Sequence, residues 1–208
     1  MSIFALTKNS VLNLDNLTLG GTENAYSGSL VVVQYSTLNL KNTTVQYSKG
    51  DRGGAVHVQV YGTLNATGSV FTKNTCANYG GAIGIWGGTA NLTGCVFDGN
   101  TATNAGGAIM NYKDDGANGD GTTTNIGGKL LVDNCVFVNN ESTSASGGAI
   151  RAASAGRAPV ACQVAMPVAP RASRRATCVA SEPVLLHSTR SAPGTREITV
   201  SAASASNR

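Results

Sequence analysis

The stretch GCVFDGNTATNAGGAI, residues 94–109, sets one phenylalanine, one amide and a glycine pair within a single short span. A helix would waste that mixture. Glycine and asparagine favour turns, and valine, threonine and phenylalanine favour strands. The stretch also has relatives elsewhere in the chain. LNLDNLTL begins at Leu12, LNLKNTTV at Leu38, LNATGSVF at Leu64, ANLTGCVF at Ala90 and LLVDNCVF at Leu130, in steps of 26, 26, 26 and 40 residues. A second landmark keeps pace: SGSL at Ser27, GGAV at Gly53, and GGAI at Gly80, Gly106 and Gly147. One insertion, at about residues 111–127, accounts for the long step. A fixed period of this length marks a structure whose units bury their apolar faces by stacking on one another.

Within each copy the alternation assigns an inside. Leu12 and Leu14 flank Asn13 and face one way. A turn-type pair follows (Asp15-Asn16, Lys41-Asn42, Thr67-Gly68, Thr93-Gly94, Asp133-Asn134), after which Leu17/Leu19, Ser69/Phe71, Cys95/Phe97 and Cys135/Phe137 point inward. Asn74, Asn100 and Asn140 mark the next corner, where a left-handed backbone and bonds between asparagines one coil apart are expected. The glycine pairs Gly80-Gly81 and Gly106-Gly107 let the chain turn where a side chain would clash. A third strand then places Val56, Val58 and Val60 inside and His57 and Gln59 outside. The fold expected is therefore all-β: a parallel β-helix of about five coils over residues 12–150, with three strands per coil, Phe71, Phe97 and Phe137 stacked inside, and residues 1–150 as one repeat domain.

The paired recurrence of Gly-Gly-Ala-Ile/Val (Gly53–Val56, Gly80–Ile83, Gly106–Ile109, Gly147–Ile150) with Phe-x-x-Asn (71–74, 97–100, 137–140) resembles the repeat of the chlamydial polymorphic outer-membrane proteins. The spacing from phenylalanine to glycine is nine or ten residues. The resemblance implies a right-handed parallel β-helix and a surface-exposed or secreted, autotransporter-like passenger acting in adhesion. Its localisation would be extracellular or at the cell surface, and its partners a cell-surface protein or glycan. The opening MSIFALTKNS has neither a basic segment nor a long apolar run, so no signal peptide is read there, and no apolar run is long enough for a membrane-spanning helix.

Residues 151–208 break the pattern. They hold all five prolines, eight of the nine arginines and two of the 26 glycines, for a net charge of +6 against −2 in residues 1–150. Two readings are open: a basic arm for an anionic surface, or a stretch read out of frame inside a truncated gene product. Without interleaved aromatics, nucleic-acid binding is not expected, and an irregular, poorly ordered tail of low complexity is.

Candidate chemistry is sparse. The five cysteines contain no C-x-x-C, and Cys95 and Cys135 fall at equivalent inward positions, as stacked buried thiols rather than a disulfide. With only His57 and His187, no Ser/His/Asp set can be assembled. Asp114, Asp115 and Asp120 on the glycine-rich insertion are the one candidate for calcium, against a plain solvated loop; no other cofactor is expected. Asn16, Asn42, Asn65, Asn91 and Asn140 each begin an Asn-x-Ser/Thr triplet. Outward positions form columns: Asn13, Asn39, Asn65, Asn91, and Thr18, Thr44, Val70, Val96, Val136, with Trp86 as an outward ring suited to a sugar. Val70, Val96, Val136 and Trp86 are the candidate binding surface. The acids sit mostly at corners or on the insertion, so a carbohydrate lyase or hydrolase, which needs paired carboxylates on one face, is the alternative rather than the main reading.

Overall fold

The computed structural model describes residues 2–21, 26–114, 126–144 and 147–153, together with the backbone of four later strands. The chain is a parallel β-solenoid, and no helix occurs among the described residues. One coil runs through Val56–Val58, Thr63–Thr67, Val70–Thr72 and Thr75–Tyr79; the next repeats it through Ile83–Trp86, Thr89–Thr93, Val96–Asp98 and Thr101–Ala102. Register follows the repeat residue for residue: Leu38, Leu64, Ala90 and Leu130 pair in line, as do Val45, Phe71, Phe97 and Phe137.

Each such coil has four strands, not three. The additional one lies between the asparagine corner and the glycine pair, as Ser48–Arg52, Thr75–Tyr79, Thr101–Ala102 and Glu141–Ser142. Its inward residues are Gly50, Cys76 and Ala102, too small to give an apolar alternation in the sequence.

The interior is built of columns. Phe71, Phe97 and Phe137 stack with ring centroids 4.7 Å apart and planes within 2° and 4° of parallel. That separation is the spacing of neighbouring strands, so in-register pairing alone brings the rings face to face. Phe71 and Phe97 are wholly buried. Leu17 departs from expectation: it is 37% exposed, because its coil has a described neighbour on one side only.

A buried amide ladder runs beside the phenylalanines. Asn74 Nδ2 donates to Asn100 Oδ1 at 3.0 Å, and Asn100 Nδ2 to Asn140 Oδ1 at 2.9 Å. The same amides donate to the carbonyls of Val45, Phe71 and Phe97. These asparagines are not themselves left-handed. The positive φ falls one residue earlier, at Tyr47 (50°), Lys73 (52°), Gly99 (63°) and Asn139 (54°). That placement turns Asn74 and Asn100 inward, where both are fully buried.

At the glycine corner, Gly106 has φ 65°, and a Cβ on Gly107 would lie 2.0 Å from the carbonyl oxygen of Gly148. Gly54 meets Gly81 and Gly81 meets Gly107 in the same way, so at these second glycines successive backbones approach too closely for any side chain.

Beyond Ile150–Ala153 the backbone continues as strands. Val160–Met166 pairs in parallel with Lys129–Val138 and antiparallel with Arg196–Ala202, which pairs in turn with Val184–Arg190. Cys178–Ala180 pairs with Ile150–Ala153. The sequence there showed no strand alternation. The side chains from residue 153 onward, and the residues joining these strands, lie outside the described residues, and with them most of the expectation of an irregular tail.

Two substitutions test this interior. Phe97→Ala should cost about 3–5 kcal/mol in urea unfolding. Asn100→Ala takes the acceptor from the buried Asn74 main-chain N–H and breaks the ladder, and should cost about 2 kcal/mol or more. Asn39→Ala, in an outward ladder that water can replace, should cost under about 1 kcal/mol.

Candidate functional site

With the interior given over to packing, chemistry is left to the outer face and the corners. The outward asparagine column is a second ladder: Asn39, Asn65 and Asn91 each donate Nδ2 to the Oδ1 of the preceding member, Asn13 included, at 2.7–2.8 Å. Asn65 and Asn91 are thereby committed as neighbours of one another, while Asn16 and Asn42 stand exposed at left-handed corners. Val70, Val96 and Val136 pair in register and are half-buried, continuing the line from Thr18 and Thr44.

Trp86 stands in register with Gln59's position, as expected, but it is not a freestanding ring. Its six-membered ring lies over Gly84, where a Cβ would come within 2.2 Å of it. His57 packs edge-on against it with ring centroids 5.1 Å apart, and Tyr79 and Tyr112 flank it at 6.4 Å. His57 also meets Gln59, at 3.4 Å from Nδ1 to Nε2. Trp86 is half-buried in this cluster.

Among the described residues, Cys95 and Cys135 are stacked thiols. Cys76, Cys95 and Cys135 are free and buried, and Cys95 N donates to Cys135 Sγ at 3.3 Å. The hydrogen-bonded Cys95 thiol and burial push Cys135 well above the ordinary thiol range. Burial likewise pushes Cys76 up, while its thiol donates to the carbonyls of Asp51 and Tyr79.

The insertion leaves the coil where Asp114 pairs with Ile126 in a short antiparallel ladder. The side chain of Asp114, and Asp115 and Asp120 entirely, lie outside the described residues, and so does the calcium candidate they make. At the insertion's base Asn111 occupies an inward position beside Ile85, fully buried, and donates to Gly128 O at 3.0 Å. No group of three or more His, Cys, Asp or Glu placed to hold a metal exists among the described residues.

The geometry thus joins a 26-residue parallel coil, a phenylalanine stack, an asparagine ladder and a glycine corner in one unit. Residues 68–85 and 94–112 match the Chlamydia polymorphic membrane protein repeat. Neither the curated proteins nor the solved structures give a match. The first matched segment holds Phe71, Asn74, Gly80 and Gly81, and the second Phe97, Asn100, Gly106 and Gly107. The polymorphic membrane proteins are associated with the surface and outer membrane. In this chain no described helix is long and apolar enough to cross a membrane.

Sequence reasoning missed the most exposed aromatic rings among the described residues. Tyr35 and Tyr61 are 45% and 59% exposed, one coil apart, with ring centroids 5.2 Å apart. Nothing in their local sequence marks them, and only the 26-residue spacing to Gly87 shows that they sit at a corner.

Two outcomes follow. Trp86→Ala should destabilise by about 1–3 kcal/mol, as expected of a partly buried packing ring rather than a free platform. Alkylation of the folded protein at pH 8, read by peptide mass spectrometry, should spare Cys76, Cys95 and Cys135 and label them only after denaturation.

Proposed function

We propose that the chain is a surface-displayed, non-enzymatic binding protein of adhesion type, with the outer face of the solenoid and its insertion as the contact region. The observation that supports this most is the division of labour in the repeat: inward positions are consumed by packing, whereas outward ones form regular, half-buried columns such as Val70, Val96 and Val136. The match to a repeat of surface-associated membrane proteins supports an extracellular or cell-surface setting. The partner in this reading is a cell-surface protein or glycan. The candidate calcium ligands in this reading are Asp114, Asp115 and Asp120 of the insertion.

Full-length protein should bind cultured host cells in a saturable manner. Val96→Lys puts a charge into the valine row and should weaken that binding severalfold while changing stability by about 1 kcal/mol or less. Removal of residues 113–127 should weaken it as well. Binding untouched by both changes would refute the assigned surface, and cleavage of a polyuronate by the protein would replace the reading with a lyase.

A further inference from the structure

We propose that Tyr35 and Tyr61, with the hollow beside them, form a binding site for a neutral sugar ring of a glycan. The inference rests on the surface-binding reading above and names the ligand class of one site within it.

The site lies at the corner after the strands Phe4–Leu6, Val31–Val33 and Val56–Val58. Equivalent corner positions are held by Lys8, Tyr35, Tyr61 and Gly87, with φ of 58°, 48°, 56° and 70°. Glycine takes this left-handed conformation freely, whereas a bulky side chain pays strain to do so. Burial recovers only part of that strain, because both tyrosines keep about half of their surface open to solvent. Tyr47 and Lys73 hold the same conformation at another corner, so what marks this corner is two neighbouring, half-exposed aromatic rings beside a hollow.

Beside the rings is an open hollow of about 220 Å³ lined by Asn9, Ser10, Tyr35, Ser36, Thr37 and Tyr61. Ser10 and Ser36 are tied to each other at 3.2 Å, which fixes its floor. Among the described residues its lining is made of aromatic rings, hydroxyls and one amide, with no carboxylate, ammonium or guanidinium. A pyranose has the matching chemistry: an apolar face of C–H groups for the rings and a rim of hydroxyls for amide and hydroxyl partners. A uronate or sialate would find no cation in the lining, and a nucleotide no partner for its phosphate. The Trp86 cluster fits less well, since its ring is already engaged by Gly84, His57, Tyr79 and Tyr112.

The test uses the full chain and the variants Tyr35→Gly with Tyr61→Gly, and Tyr35→Phe with Tyr61→Phe. Each is measured for binding to immobilised cellohexaose, chitohexaose and lactose-terminated glycan, with sialyllactose and hexagalacturonate as acidic comparators. The wild-type protein should bind at least one neutral glycan, with saturation transfer from tyrosine ring protons. The double glycine variant should lose about tenfold or more in affinity. Its Tm should hold or rise, because glycine relieves the corner strain. The double phenylalanine variant should keep most of the binding. The proposal is overturned if no neutral glycan binds, if only the acidic ones bind, or if the glycine variant binds as well as wild type. It is also overturned if the glycine variant loses binding together with Tm, which would make the rings structural. Cell binding measured in parallel separates the two levels: cells bound without any neutral glycan leave the surface-binding reading standing and remove this site.

Discussion

Parallel, in-register stacking governs everything else in this protein. Along the paired strands of residues 4–142, residues lie directly above or below their counterparts in neighbouring coils, so a buried side chain must be compatible with a copy of itself at one strand spacing. For phenylalanine this is easy, and the rings stack. For a buried polar group it is demanding, since each one needs a donor and an acceptor along the same axis. Asparagine meets the demand: its amide passes a hydrogen bond to the next Asn and spends its second N–H on a main-chain carbonyl, as Asn100 does with Asn140 and Phe71. The corner can therefore be buried without orphaned backbone.

The chain contains the same ladder twice, inside and out, with different meanings. The Asn74–Asn100–Asn140 ladder works away from water, where losing a partner leaves a polar group stranded. The Asn13–Asn39–Asn65–Asn91 ladder lies on the solvent side and aligns the outer face, with water available as a substitute. Asn111 is the exception that fits neither. It is buried at the root of the insertion, and its Oδ1 has no partner among the described residues.

Much of this was legible from residue types. The period, the register and the inward columns followed from alternation, because large apolar residues recur at positions that can only face one way. The asparagine ladder was legible as a set of partners but not as a conformation: the left-handed residue is the one before it, and Lys73 does not announce a turn as Gly99 does. The fourth strand was hidden by its small inward residues, Gly50, Cys76 and Ala102, which bury little and alternate weakly. At the candidate site the sequence pointed to tryptophan because it is the strongest sugar-stacking residue. Only the fold shows that Trp86 is committed to its neighbours while Tyr35 and Tyr61 stand out at a corner.

The columns carry a consequence for how such a chain changes length. Because Phe71, Phe97 and Phe137 present the same surface upward and downward, as do Gly81 and Gly107, one coil is an interchangeable part. Removing or duplicating 26 residues between Leu64 and Phe97 leaves the phenylalanine and glycine columns matched, so the stack can be lengthened or shortened by whole coils. The insertion at residues 111–127 shows the complementary freedom: Ile109 through Asn111 and Lys129 through Phe137 keep register with the coil before them although the chain detours between them. Novelty in such a protein enters at the seams between strands, and the stack beneath is indifferent to it.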